Sequence, residues 1–407
     1  MSQIILLIIA IPIVATLTLF TIRRILFTLA ILFAGDQDGE SPTPDHGCLP
    51  DVLILVPCRD ERSLIPGLCQ ALSQLDYPHE SLQVVLIDDA SVDGTGLVME
   101  QQAAQRHGWH VLQLSSNVGK ARALNIALTR FQFGEIIYIF DADHRPNANV
   151  LRRGVQYFFA PRVAAVTGFT QVVNPLASPS AFYSTVESYT NQLVTMRAKD
   201  RLGLAPALLG SNCAYRRELL NTLGGFRDGA FSEDSDLTVT FYREGYRVRF
   251  AQDAVSTQQV PQSLDGYLKQ HIRWGRGLND VAKVHARKIL TDRKLSLPLR
   301  IELLLFTAGY LDRLALLSAL LLMVFFYLIS SANALSLLGI ILFSLATPLV
   351  QIVALFLKER MGMAMWTRLP LIPFFFAIDI FAAIRSMLAT LLNQPHLWTK
   401  TQREEIP

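Results

Sequence analysis

The stretch Val52-Leu53-Ile54-Leu55-Val56-Pro57 is a continuous apolar run that ends at a proline, with Arg59-Asp60-Glu61 directly after it. A run this short and without alternation is the pattern of a strand buried on both faces. The pattern recurs. Val84 to Ile87 ends at Asp88-Asp89, Val111 to Leu114 is followed by Asn117-Val118-Gly119-Lys120, and Ile136 to Phe140 ends at Asp141-Ala142-Asp143. Helical stretches fall between them, one running to Leu75 and another from Ala121 to Leu128, and residues 163–169 and Ala181 to Arg197 read as a further strand and helix. This alternation predicts an α/β fold, a mostly parallel sheet with helices on both faces. Ligands of such sheets bind at the carboxyl ends of the strands, and polar residues stand at all four ends. Taken singly, each is equally an ordinary strand terminator; taken together, they point to one crevice.

The 407-residue chain is longer than a single core usually grows, and half of it is apolar. Its mean hydropathy of +0.31 is high for a soluble protein. The excess is concentrated at 4–22, 314–329, 335–357 and 369–384, runs whose length suits membrane helices. Residues 51–284 read as a soluble domain behind an anchor at 1–35 and a polar, Pro/Gly-rich linker at 36–50. Residues 285–313 are expected along the membrane interface, 314–395 as a membrane region and 396–407 as a cytosolic tail. Arg23-Arg24 and Lys358/Arg360 border apolar runs, which places the domain in the cytosol by the positive-inside rule and the chain in the inner membrane. With no basic residue before it and no small-residue cleavage site, the first run reads as an uncleaved anchor. The last run is interrupted by Pro370, Pro373, Asp379 and Arg385, and is expected to be bent or re-entrant. A net charge of +3 is too small to argue for nucleic acid. Cys48, Cys58, Cys69 and Cys213 lack paired ligand spacing, so neither zinc nor a disulfide is expected.

Two dense polar clusters follow: Ser232-Glu233-Asp234-Ser235-Asp236, and Gln270-His271-Ile272-Arg273-Trp274, in which Gln270, Arg273 and Trp274 share a helical face. With Asp141-Ala142-Asp143 and Asp88-Asp89 upstream, these clusters resemble the membrane-integrated family 2 glycosyltransferases, whose members include cellulose, chitin-oligosaccharide, hyaluronan and poly-N-acetylglucosamine synthases. The resemblance covers roughly residues 50 to 280 and implies a GT-A domain that uses a UDP-sugar. It implies that Asp88, with Asp89 beside it, holds the uridine, that Pro57, Arg59 and Glu61 pack against the nucleotide, and that Lys120 contacts the diphosphate. Asp60 stands where many relatives carry Asn. Residues 208–217 resemble the stretch near the acceptor.

A departing diphosphate calls for a divalent cation, and Asp141 with Asp143 offers hard oxygen ligands for Mg2+ or Mn2+; the resemblance makes Asp143 the direct ligand. Glu233 and Asp234 are the candidate catalytic pair, with Asp234 the general base that takes the acceptor proton. A single in-line displacement inverts the anomeric configuration and needs no carboxylate nucleophile. Arg273 is a charge-assisted donor to the pyrophosphate, Trp274 a flat surface under the acceptor sugar, and Gln270 shares their face. Plainer readings stand beside these. Asp141 and Asp143 also suit a turn after a strand, Ser232 is a good N-cap with three acids in the first turn behind it, and an interfacial helix would also carry a Trp and an Arg.

The leading expectation is an enzyme that extends a β-linked polysaccharide from UDP-glucose or UDP-N-acetylglucosamine, with a polysaccharide or lipid acceptor. A glycolipid synthase transferring one sugar is the alternative, and an inactive scaffold of an export machine comes from a different class. So few membrane segments fit a homo-oligomer, an accessory export subunit or a lipid product.

Overall fold

The computed structural model describes residues 2–33, 49–329 and 331–394. Cys48, most of the expected linker and the expected tail lie outside them. The chain enters through one helix, α1 (Ser2–Phe33), which continues past Arg23 and Arg24. The first half of the expected soluble domain then alternates as expected: β1 (Val52–Cys58), α2 (Ile65–Ser73), β2 (Leu82–Asp88), α3 (Thr95–Ala103), β3 (Trp109–Gln113), α4 (Lys120–Arg130) and β4 (Ile136–Ile139). These strands pair in parallel, β1 lying between β2 and β4. Because side chains alternate across a strand, Leu53 and Leu55 join Val85, Ile87, Ile137 and Ile139 in one core. Val52, Ile54 and Val56 join Val84, Leu86 and Tyr138 in the other. Two covered faces explain why the runs are apolar at every position.

The second half is less regular: β5 (Arg145–Pro146), α5 (Val150–Val155), β6 (Val163–Val172), α6 (Pro179–Tyr189), a π-helical turn over Thr190–Met196, and α7 (Arg197–Arg201). Then come β7 (Cys213–Arg216), α8 (Arg217–Thr222), α9 (Glu233–Arg243) and β8 (Arg247–Gln258). Among the described residues the sheet has eight strands in the order β3-β2-β1-β4-β7-β6-β8-β5. It is mixed. β7 runs antiparallel to both β4 and β6, and β5 antiparallel to β8, but β6 and β8 pair in parallel along Val163–Val172, so the sheet is mostly parallel as expected, with β7 and β5 reversed. β7 is a four-residue strand inserted between β4 and β6.

Helix α10 (Leu264–Thr291) is continuous across the position where the sequence suggested that the domain ends, and α11 (Leu297–Thr307) follows. The membrane-type helices are α12 (Leu311–Ile329), α13 (Ser331–Lys358), the short α14 (Met363–Trp366) and α15 (Ile372–Leu391). Among the described residues four helical segments are long and apolar enough to cross a membrane: Ile8–Phe33, Leu311–Leu328, Ala334–Lys358 and Met363–Leu391.

α1 runs beside α13 in the same direction, Thr21 meeting Ser344, Arg24 meeting Gln351 and Ile31 meeting Lys358. α15 takes a different course. Of the bent or re-entrant course expected for the last run, the bend is absent: α15 is one unbroken helix, because Pro370 falls before it and Pro373 within its first turn, where no intrahelical N–H is needed. Its start packs with Phe182 and Tyr183 of α6 and Phe356 near the end of α13. Its end runs along α10, where a Cβ on Gly275 would lie 2.6 Å from Ser386 Oγ and Asn279 donates to Thr390 Oγ1 at 3.2 Å. Asp379, the residue that would be expensive in lipid, is buried and accepts hydrogen bonds from the Tyr183 and Tyr267 hydroxyls, with Arg313 3.6 Å away.

The arginines of α1 are spent inside the protein. Arg23 makes a two-pronged contact with buried Glu302 of α11 at 2.8 and 2.9 Å, and Lys199 reaches the same carboxylate at 2.8 Å. Arg24 pairs with Asp312.

Candidate active site

The loops after β1, β2 and β3 are stitched to one another by backbone N–H groups and short polar side chains. Asp60, at a left-handed φ of 54° that Asp and Asn tolerate, accepts from the Val92 N–H at 2.8 Å, and its own N–H donates to Ser91 Oγ at 2.9 Å. The Glu61 N–H donates to Thr95 Oγ1 at 2.9 Å. This conformation accounts for Asp in place of Asn: either side chain can accept that bond. Asp88 accepts from Ser91 N–H at 3.0 Å and sits against α3, where a Cβ on Gly96 would stand 2.5 Å from its carboxylate. Asp89 has both oxygens occupied by the Val118 and Gly119 N–H groups at 2.7 and 2.8 Å. It fixes the loop that ends at Lys120. Pro57 and Arg59 lie at the same edge, Arg59 3.7 Å from Asp60.

Lys120, at the start of α4, reaches Asp141 Oδ1 at 2.7 Å, the Gly210 carbonyl at 2.8 Å and Glu233 Oε1 at 3.2 Å. Burial works against its charge, but Asp141, Glu233 and Asp234 outweigh burial and hold the ammonium above the ordinary lysine range. Gly210 adopts a φ of +78°, and a Cβ there would crowd Asp234 at 3.1 Å, so a glycine suits this turn twice over. Glu233 and Asp234 open α9. Ser232 stands at the N-cap without capping through its side chain. Its hydroxyl donates to Asp234 Oδ1 at 2.9 Å, which also accepts the Ser235 N–H at 2.7 Å. Burial and the neighbouring Glu233 charge push the Asp234 carboxyl up to about 6, against the opposing pull of Lys120. That value suits a group that must be ionised near neutrality yet still take a proton.

Asp141, Asp143 and His144 place one ligand atom each within 4.8 Å of one another. His144 was not singled out in the sequence, although it directly follows the two aspartates. Burial pushes its imidazole down to about 4, so it is neutral and able to coordinate, and its Nδ1 lies 3.1 Å from Ser256 Oγ on β8. Two carboxylates and a neutral imidazole are a donor set that fits Mn2+ or Mg2+.

Asp141, Asp234, Gln270, Arg273 and Trp274 line one cavity of about 550 Å3. Trp274 is 46 % exposed, whereas Gln270 is buried. His271, between them, is held by Glu187 at 3.1 Å and the Tyr310 hydroxyl at 3.2 Å, which fixes the face of α10. The cavity extends past Tyr183, Glu187, Arg313 and Asp379 to Leu17, Leu316, Leu345 and Ile352 of the apolar helices. α9 and α10 are locked together below it. A Cβ on Gly277 would lie 2.9 Å from that of Ser232, and buried Asp236 accepts from Arg227 at 2.7 Å and bonds His285 at 2.9 Å.

The Glycosyltransferase like family 2 model matches residues 50–277, more than half of the chain. Among curated proteins, the probable glycosyltransferase YdaM of Bacillus subtilis (strain 168) is 27 % identical over 56 % of this chain and 55 % of its own length. A beta-monoglucosyldiacylglycerol synthase of Nostoc sp. (strain PCC 7120) is 29 % identical over 61 % and 53 %, and an N-acetylglucosaminyltransferase of Rhizobium meliloti (strain 1021) is 28 % identical over 67 % and 64 %. The chain thus spans about half the length of the first curated relatives it matches. Among solved structures, the mannosyltransferase PcManGT of Pyrobaculum calidifontis, in complex with GDP-Man and Mn2+, is 25 % identical with a TM-score of 0.64, over 96 % of this chain and 100 % of that one. The fold is GT-A-like with membrane-type helices attached, and the chain belongs to the Glycosyltransferase like family 2, its residues 50–277 forming the glycosyltransferase domain.

Proposed function

We propose that the chain is an inverting, metal-dependent glycosyltransferase that moves a hexose from UDP-glucose or UDP-N-acetylglucosamine onto a β-linked polysaccharide at the membrane, its catalytic domain in the cytosol. The observation that carries this reading is the meeting of Asp141, Asp234, Gln270, Arg273 and Trp274 on one cavity, although they come from widely separated parts of the chain. Asp141, Asp143 and His144 would hold the cation, which offsets charge on the departing diphosphate when bound. Asp234 takes the proton of the acceptor hydroxyl as its oxygen attacks the anomeric carbon, and the C–O bond to UDP breaks on the opposite side. Arg273 faces the leaving phosphates. Asp88, Pro57, Arg59 and Glu61 cradle the nucleoside at the strand ends. The Mn2+ and GDP-Man held by the PcManGT structure support a nucleotide-sugar donor and a divalent cation.

A second reading, transfer of one sugar to a lipid, is favoured by the continuation of the cavity to Leu17, Leu316, Leu345 and Ile352. Membranes containing the chain, incubated with labelled UDP-sugars with and without chelator, test both. The polysaccharide reading expects a high-molecular-weight product, the lipid reading a single labelled lipid. Incorporation that survives chelation contradicts the metal assignment.

A further inference from the structure

The helix that leaves β6 changes pitch beside the cavity. After α6 it opens into the π-helical turn Thr190–Met196 before tightening again into α7. Such turns carry an extra residue and rotate the side chains around them, and they are frequent at functional sites. Here buried Gln192 pins the turn to the sheet. Its Oε1 accepts the Thr170 N–H at 2.8 Å, and its Nε2 donates to the Thr170 carbonyl at 3.2 Å and to Ser188 Oγ at 2.9 Å. The result is a polar wall: Ser184, Ser188, Thr190, Asn191 and Thr195 all line the cavity that also holds Asp234 and Trp274. Two hydroxyls on this wall, Ser184 Oγ and Thr190 Oγ1, are buried with no hydrogen-bond partner. Ser184 is only 6 % exposed. Helical Ser and Thr hydroxyls normally turn back onto the carbonyl four residues earlier, as Thr185 does here. Buried polar groups without partners are rare enough in native proteins to require a reason.

We propose that this wall is the acceptor subsite, and that it takes a polyhydroxylated ring whose hydroxyl groups bond Ser184, Thr190 and Asn191 while Trp274 offers the flat apolar surface against which a sugar face packs. This rests on the glycosyltransferase reading above and names the acceptor chemistry for it. A wall of hydroxyls and an amide recognises ring hydroxyls and gains nothing from a hydrocarbon chain. Two sources present the same head: the end of a glycan, and the sugar of a glycolipid whose tail would follow the apolar arm of the cavity.

The test uses the full-length chain in phospholipid nanodiscs with a labelled UDP-sugar donor, and three probes: cellotetraose, octyl β-glucoside and dioctanoylglycerol, which has no ring. Transfer is expected to cellotetraose if the source is a glycan and to octyl β-glucoside if it is a glycolipid. Ser184→Ala and Thr190→Val should each raise the KM of the accepted probe about fivefold to tenfold, leaving the donor KM where it was. Thr190→Ser, which keeps the hydroxyl, should restore the acceptor KM. An unmoved acceptor KM in both variants, a Thr190→Ser as impaired as Thr190→Val, transfer only to dioctanoylglycerol, or no transfer to either ring probe from a preparation that turns over donor would each overturn the subsite. A preparation that does not consume donor, or one in which Asp234→Asn transfers normally, would instead overturn the glycosyltransferase reading.

Discussion

Lys120 and Asp234 set each other's behaviour. Asp234 is the proposed base, and with its carboxyl at about 6 the kcat/KM of the enzyme should rise as pH increases through 6 and then level off, because the base must be ionised to work. The Lys120 charge lowers that value. Lys120→Met should therefore move the rising limb to higher pH, a direction a pH-rate profile reads directly. Asp234→Asn should lose between about a hundredfold and ten-thousandfold in kcat while UDP binding, measured by calorimetry, persists. Several residues of this site were legible from sequence because charged side chains recur at strand ends and along one helical face. The contacts of Lys120 and Asp89 were not legible: the lysine holds Asp141 and Glu233, and Asp89 accepts two backbone N–H groups. A motif gives the residue type, and only the folded loops decide which neighbour it meets. His144 had a signal, an imidazole next to two aspartates. Ser184 and Thr190 had none, since an unmade hydrogen bond leaves no trace in sequence.

At the level of elements, β1 to β4 could be read because burial on both faces removes every polar residue from the run. β8 was not read, although Arg247-Val248-Arg249-Phe250 alternates, with Val248 and Phe250 buried and the arginines less so. β7 was hidden inside a stretch valued for its resemblance, and the pitch change after Tyr189 depends on Gln192 finding Thr170, a contact between distant residues. The basic pair after the first apolar run is the clearest case of one signal with two meanings: Arg23 and Arg24 mark a membrane boundary in sequence and form internal ion pairs in the fold. Burial would raise the Glu302 carboxyl, but Arg23 and Lys199 outweigh it and hold it down to about 2. Its folded value lies below its unfolded one, so the stabilisation is complete above about 4.5 and is lost as pH falls toward 2. Glu302→Ala leaves two buried cations without their partner and should cost about 3–5 kcal/mol, whereas replacing Arg23, Lys199 and Glu302 together by methionine should recover most of that. Thermal unfolding of the two solubilised variants measures the difference.

For the molecule as a whole, α15 decides the count of membrane crossings. By composition it can span, but it begins against α6 and the end of α13 and finishes along α10, all of them elements next to the catalytic domain. Its two ends should therefore face the same side. In a variant without native cysteines, Leu335→Cys, near the start of α13, should react with an impermeant maleimide added outside spheroplasts, and Gln394→Cys should react only after permeabilisation. Labelling of Gln394→Cys from outside would make α15 a true crossing. This course was only partly legible, because Asp379 announces a protected position without saying that two tyrosines and an arginine protect it.

The contact between Gly277 and Ser232 leaves no room for a methyl group, so α10, which packs along α15, ties the apolar helices to the turn bearing Asp234. Lipid thickness then becomes a kinetic variable. Reconstitution in phosphatidylcholines of increasing acyl length should change kcat with an optimum while leaving UDP affinity flat, a dependence that the isolated domain of an ordinary cytosolic transferase would not display.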